Sequence, residues 1–319
     1  MTGATAPAAV VLGQVARDLL LLVDEMPEGG ASTDVLVRRE QLGGKGANQA
    51  VALTQLGVAT GLVGVIGDDS VGAGLMRAAG ADSIDTSGVV VRREAVTGLI
   101  VDVVDRGGAW RYLEHLPAEV LLQVSDVERA RDLLKQARVA VLQLQQPSES
   151  VAAAAEIART AGTSVVLDGV PPDDARRGTL LSLADVLRAD EREAALLAER
   201  ALGKPDEARS FAQQLLRQGP GIVVLALGKS GNLVAWEGGG VLWPLLGGPV
   251  VDTTGAGDAF VAGLVSSLLA GEPPDRAGRL ATAAASVSVG ILGGRPALER
   301  ERLEAKLQEL DERGPVRRW

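Results

Sequence analysis

Short runs of apolar, largely β-branched residues recur along the chain, and stretches of helical period fill most of the gaps between them. Ala8–Leu12, Thr60–Ile66, Val139–Leu144, Ser164–Leu167, Asp185–Leu187 and Gly221–Leu227 each read as a buried strand. Ala47–Leu56 closes at Gly57, Val127–Ala137 follows Asp126 as its N-cap, and Ser150–Ala161 closes at Gly162. Asp206–Gln218 closes at Gly219, with Pro220 beyond it. These four stretches read as helices. Strand and helix in alternation call for a parallel sheet with helices on both faces, because each crossover must itself pack on the sheet. The fold class expected is α/β.

Two stretches, residues 14–42 and 95–116, break this rhythm. Val96–Val104 alternates in part, Arg106-Gly107-Gly108 supplies a turn, and Ala109–Leu116 returns with Trp110 and Tyr112 on one face. That is a hairpin, not a crossover unit. Antiparallel strands from the two stretches would form a small sheet over the edge of the main domain, which is then made of residues 1–13, 43–94 and 117–319. Such a sheet is either a decoration or a lid over a site. Near the end, Pro296–Arg313 carries Leu303, Leu307 and Leu310 at helical spacing and reads as a packing helix.

Composition narrows the chemistry. Among 319 residues, 46% are hydrophobic and 23% charged, the balance of a globular protein with a large core. The net charge of -9 argues against a nucleic-acid partner. The absence of cysteine excludes disulfides, thiolate metal sites and cysteine nucleophiles. One histidine, His115, excludes multi-histidine metal sites, and it falls on the hairpin, where a structural or exposed role is expected. The apolar runs stay below the roughly 18 residues that span a bilayer, and the first residues lack a basic region before their apolar run. No membrane partner and a cytoplasmic location are therefore expected. Carboxylates, lysine and backbone amides must carry any chemistry.

Two glycine-rich segments offer it. In the segment from Val250 to Gly263, a strand-like approach meets Thr254-Gly255-Ala256-Gly257-Asp258 and then an apolar helix, Ala259–Leu269. Glycines at 255 and 257 let successive N–H groups converge at a helix N-terminus, a concavity suited to phosphate. Asp258 stands beside it, where the helix dipole alone would make it a weak base at rest. The bland alternative is a capped turn. In Gly43-Gly44-Lys45-Gly46-Ala47-Asn48, Lys45 and Asn48 share a helix face above a glycine floor, which suits a polyhydroxylated ligand. Tight packing of a helix on a strand through small residues would explain the same glycines. Gly228-Lys229-Ser230 imitates the end of a phosphate-binding P-loop, but Val223 occupies the position of its first glycine. Asp68-Asp69 reads as a turn and N-cap in preference to a metal pair.

GGKGANQAVALTQLG and DTTGAGDAFVAG, in that order, resemble the two signatures of the ribokinase (PfkB) family of carbohydrate kinases. The resemblance extends to Gly13 with Asp18, Gly67–Gly72, the loop 143–147, Asp190–Glu193 and the alanine-rich helix at 280–290. It implies a mostly parallel sheet sandwiched by helices with a small β-sheet lid, often a homodimer interface. It further implies transfer of the ATP γ-phosphoryl group to a primary hydroxyl of a pentose or related sugar, ribose first. Asp258 would take the hydroxyl proton, and Gly255, Ala256 and Gly257 would form the anion hole. Asp18, Gly44, Lys45, Asn48 and Gln145 would hold the sugar. Asp190, Leu227, Gly228, Lys229, Gly231, Gly257 and Thr282 would border ATP. Glu193 would position Mg²⁺ through water. Asp252 and Thr254, with the loop 289–296, would hold a monovalent cation such as K⁺.

Three positions and one turn depart from the family pattern. Gln145 stands where ribokinases carry glutamate, Asp190 where they carry asparagine, and Ala226 where they carry threonine; residues 116–120 replace a Gly-Ala-Asn turn. Fructose, a ketodeoxy acid such as ketodeoxygluconate, or a nucleoside thus stays open as the acceptor. A sugar- or nucleotide-binding protein with little kinase activity also stays open.

Overall fold

The computed structural model describes residues 6–247 and 251–319. Among the described residues, fourteen strands run in chain order. The first seven are β1 (Ala9–Leu12), β2 (Ala16–Val23), β3 (Val35–Gly43), β4 (Thr60–Gly67), β5 (Asp85–Arg92), β6 (Gly98–Asp105) and β7 (Trp110–His115). The others are β8 (Val139–Gln143), β9 (Ser164–Asp168), β10 (Val186–Ala189), β11 (Ile222–Ala226), β12 (Asn232–Trp236), β13 (Gly239–Trp243) and β14 (Arg317–Arg318). Ten of them form one sheet in the order β14-β13-β12-β11-β10-β9-β8-β1-β4-β5, parallel from β11 to β5 and antiparallel at the β12–β14 edge.

The unbroken apolar runs are explained by burial on both faces. Val10 and Leu12 enter one core layer while Ala9 and Val11 enter the other, and β9 and β11 divide their residues the same way. All six strands read from sequence are present, with ends shifted by one or two residues. The edge strand β5 and the β12–β13 hairpin are additional. β5 alternates in exposure, so it lacks the continuous apolar signature of its neighbours.

The remaining strands form a separate four-stranded sheet, β3-β2-β6-β7. β6 and β7 are the hairpin expected from 95–116, β2 and β3 come from 14–42, and β2 joins them by pairing parallel to β6.

Three local expectations need correcting. The stretch 127–137 is two short helices, Val124–Arg129 and Arg131–Gln136, separated at Ala130. Their start lies earlier than expected: Gln123 is the N-cap, and Asp126, inside the first turn, accepts the Gln123 N–H at 2.9 Å and the Arg92 guanidinium at 2.6 Å. The approach to the second glycine-rich segment is not a strand in Val251–Thr253; Val251 donates instead to the Val289 carbonyl at 2.8 Å. Val250 lies outside the described residues.

Asp69 caps the helix Ser70–Ala81, as its position after the strand suggested, accepting from Gly72 N at 2.7 Å. It also accepts from Thr97 N at 2.8 Å and Thr97 Oγ1 at 2.7 Å, and so fastens the root of β6 to the main sheet. Asp69→Ala removes all three bonds. It should lower stability by about 1–2 kcal/mol in thermal or urea unfolding, while Asp68→Ala, whose side chain is exposed, should stay within about 0.5 kcal/mol of the parent.

Candidate active site at the strand ends

The parallel strands β1, β8, β9 and β10 end side by side, and beyond or near those ends Gln14, Gln145, Arg188 and Asp190 face a common hollow, with the buried Asp168 just behind it. This is the edge where parallel α/β sheets leave room for ligands. The helix Lys45–Gln55 and the helix Ala256–Leu269 point their N-termini into it, and β6 and β7 of the small sheet lean over it. The result is a cavity of about 380 Å³. Its wall includes Asp18, Gly44, Lys45, Asn48, Gln145, Asp190, Thr254, Gly255, Gly257 and Asp258, which brings both glycine-rich segments together although they lie far apart in sequence.

The local backbone shows why glycine is required. Gly255 has φ +74°, and a Cβ there would stand 2.0 Å from the Gly294 carbonyl oxygen. A Cβ at Gly43 would stand 1.8 Å from Asp18 Cγ, so only glycine lets that carboxylate lie across the strand. The bland reading of the first glycine cluster also holds, since a Cβ at Gly46 would meet Gly13 backbone at 2.6 Å. Close packing and an open cavity wall are both products of the same small residues.

A second cavity of about 240 Å³ opens on the other side of the Ala256–Leu269 N-terminus. Ala226, Asn232, Leu246, Ala256, Phe260 and Thr282 are among the residues that line it. The two cavities share Arg188, Thr253 and Gly257. Thr282 and Ala256 thus face the second cavity, whereas Asp190 lies in the wall of the first. The Asp190 carboxylate accepts the Glu193 N–H at 2.8 Å, and Glu193 reciprocates with the Asp190 N–H at 2.8 Å, closing a capping box. Leu227, Gly228, Lys229 and Gly231 belong to a short turn after β11 and line neither cavity; Leu227 is buried and Lys229 exposed. His115 is exposed on β7.

Asp258 is buried, and Gln49 Nε2 bridges it at 3.1 Å to Asp168 at 2.7 Å. Asp168 in turn accepts from Arg188 Nη1 at 2.9 Å, and Lys45 Nζ lies 3.6 Å from Glu193. Burial pushes the Asp258 carboxyl up to about 7; Asp168 adds to the rise, and Lys45, Gln49 and Arg188 oppose it. The weak base expected from the helix dipole alone is therefore corrected: dehydration outweighs the dipole. Burial pulls the Lys45 ammonium down, but the charges of Asp168, Glu193 and Asp258 win and hold it above its usual range.

Across the cavity, burial pushes Asp18 up to about 7, against the Gly44 N–H and helped by Asp102 and Glu114. Asp252 accepts from Thr254 N at 2.9 Å and Oγ1 at 2.7 Å and, through its other oxygen, from Gly293 N at 2.9 Å. Thr254 Oγ1 also reaches Asp102 of β6 at 3.4 Å and the Tyr112 hydroxyl of β7, so the small sheet is bonded to the loop that opens the helix.

Gln14, Gln49, Asp102, Glu114, Asp168 and Arg188 escaped sequence reading. Glu114 had a signal, since Trp110, Tyr112 and Glu114 alternate along one face of β7. Arg188 had one too, as an arginine inside the apolar run Val186–Ala189. The others carried none.

Carboxyls with raised pKa values bind protons more tightly in the folded chain than in the unfolded one. The stability they contribute is complete below about pH 4 and falls as pH rises towards 7. Asp18→Asn removes one such group. It should raise stability at pH 8 by about 1 kcal/mol or more, roughly 2–4 °C in Tm, and leave stability at pH 4 little changed.

The matches to known proteins agree with this geometry. The pfkB family carbohydrate kinase model matches residues 7–300. The ribokinase of Haemophilus influenzae is 30% identical over 288 residues, 90% of this chain and 94% of that protein. The ATP-dependent ribose-1-phosphate kinase of Halopiger xanaduensis is 31% identical, over 93% of this chain and 97% of that protein. The structure of Arabidopsis thaliana ribokinase complexed with ribose and ATP superposes with a TM-score of 0.78 at 25% identity, covering 95% of this chain and 99% of that one. The chain belongs to the pfkB family of carbohydrate kinases.

Proposed function

We propose that this kinase transfers the γ-phosphoryl group of ATP to a primary hydroxyl of a neutral pentose or related furanose, ribose first. The observation that carries the proposal is the meeting of the two cavities at the N-terminus of the Ala256–Leu269 helix, with Asp258 on the sugar side of that junction. A sugar in the first cavity would be held by Asp18, Gly44, Lys45, Asn48 and Gln145. Thr282 and its apolar neighbours would receive the nucleotide, with Asp190 and the 227–231 turn at the border of its phosphates.

Asp258 accepts the proton of the sugar hydroxyl as its oxygen attacks phosphorus. The N–H groups of Gly255, Ala256 and Gly257 stabilise charge on the transferring group. A pKa near 7 suits a base that must be ionised at neutral pH yet hold a proton during transfer. The small sheet acts as a lid that excludes water from the transfer.

Two ions belong to the proposal. Among the described residues no group of three or more histidines or acids is placed to hold a metal. Mg²⁺ would accordingly take most ligands from the triphosphate and water, with Glu193 holding one of the waters. Near Asp252 and Thr254, the buried Asp102 Oδ1 has no hydrogen-bond partner. A monovalent cation, K⁺ in the family resemblance, would offset that charge and order the loop leading to the anion hole. A homodimer through the small sheet remains part of the proposal, supported by exposed Val35, Leu36 and Leu113.

The charge of the first cavity favours neutral acceptors. Asp18, Glu114, Asp190 and Asp258 line it, and its two cations, Lys45 and Arg188, are already paired with acids. A nucleoside is the second reading, because the Trp110 and Tyr112 rings, 4.7 Å apart between centroids, sit on the cavity wall where a base could stack.

Two outcomes test the proposal. With ribose, ATP and Mg²⁺, Asp258→Asn should lose about 10²–10⁴ in kcat, and wild-type kcat/KM should fall as pH drops below about 7, where Asp258 protonates. In a panel of acceptors, ribose or fructose should exceed ribose-1-phosphate and ketodeoxygluconate by at least about tenfold in kcat/KM. Adenosine ahead of every free sugar would establish the second reading instead.

A further inference from the structure

Arg188 occupies a position whose electrostatics are hard to explain by folding alone. It lies inside β10, one residue before its end, where a run of buried apolar residues would be continued at least cost, and it is only 8% exposed. Its Nη1 donates to Asp168 across the strand pair at 2.9 Å. That is the only hydrogen bond the guanidinium makes among the described residues, which leaves Nη2 free. Nη2 is turned towards Gly257: a Cβ there would stand 2.8 Å from it. A fixed cation has thus been brought against the positive end of the Ala256–Leu269 helix, an arrangement that repels unless an anion comes between them. The same guanidinium borders both cavities, in the company of Gly257 and Thr253.

We propose that Arg188 is a catalytic residue, its Nη2 donating to a non-bridging oxygen of the phosphoryl group in transit between nucleotide and sugar. The inference rests on the phosphoryl-transfer reading above and adds to it a side-chain cation facing the backbone amides. As the sugar oxygen bonds to phosphorus, the bond from phosphorus to the β–γ bridging oxygen breaks, the hydroxyl proton passes to Asp258, and ADP leaves with the bond electrons. Arg188 stays protonated throughout. In a loose transition state negative charge lies on the oxygens around phosphorus, where a preorganised guanidinium acts most strongly. Asp168 aims it by holding Nη1, which leaves the other nitrogen for the phosphoryl group. Gly257 is needed for a second reason beyond its backbone: any side chain there would displace the guanidinium.

The rival explanation is that Arg188 merely neutralises Asp168 and, at 3.9 Å, Glu193 in the core. Arg188→Gln alone leaves the Asp168 carboxylate without its cation and risks misfolding, so the decisive variant is the double substitution Arg188→Gln with Asp168→Asn, which removes both charges together. Steady-state kinetics are measured for wild type and the double variant on the best acceptor of the panel. Calorimetry then compares the binding of ADP with aluminium fluoride, a mimic of the planar phosphoryl group, with the binding of ADP alone. The double variant should lose about 10²-fold or more in kcat. Its KM for sugar should stay within a few-fold, and its affinity for ADP with aluminium fluoride should fall much more than its affinity for ADP. A double variant within a few-fold of wild type in kcat, or one that loses both affinities equally, overturns the role of Arg188 while leaving the kinase reading intact. A wild-type protein that phosphorylates no acceptor in the panel overturns both.

Discussion

The constraint on which the site depends is the sharing of one dehydrated corner by three carboxylates and two cations. Asp168, Glu193 and Asp258 are drawn together with Lys45 and Arg188, and Gln49 Nε2 links two of the acids directly. Charges taken out of water are costly unless each has a partner. The pairing here is incomplete, with one more acid than base. Burial, reinforced by Asp168 and opposed by Lys45, Gln49 and Arg188, pushes the Asp258 carboxyl up to about 7. Removing one of these charges alone would strand its partner, yet an apolar set filling the same space would hold the corner together at less cost. The proposed transfer, in which negative charge arrives on one side and a proton on the other, would account for the presence of the charges.

The backbone arranges this corner with very few side-chain atoms. Parallel strands deliver β9 and β10 side by side, so that Asp168 and Arg188 become neighbours by register alone. Two helices open towards the same point, each preceded by a glycine of positive φ, Gly44 and Gly255. The small sheet is not an independent ornament, because Asp102 and Tyr112 bond the loop that leads into the second of those helices. The position of the sheet and that of the loop before the Ala256–Leu269 helix are therefore tied together.

Much of this was legible in the chain. The six central strands announced themselves because burial on both faces demands unbroken apolar runs, and the two glycine-rich segments because close approach tolerates no Cβ. The hairpin could be read from its turn and its alternating face. The features that were not legible share a cause. Gln49 bonds residues 119 and 209 positions away, and nothing near it in sequence reveals that it will bridge two carboxylates. The basicity of Asp258 was misjudged for the same reason: the helix dipole is a local property, visible in sequence, whereas dehydration is set by everything packed around the residue. β5 was missed because it alternates like a surface strand, and the helix break at Ala130 because alanine signals no break.

The central claim is that phosphoryl transfer occurs where the two cavities join. The most direct measurement is a crystal structure of the protein with ribose and a non-hydrolysable ATP analogue bound together. The account predicts a primary sugar hydroxyl within hydrogen-bond distance of the Asp258 carboxylate and a γ-phosphate against the N–H groups of residues 255–257. A nucleotide bound away from that junction, or a sugar with no hydroxyl facing Asp258, would contradict it.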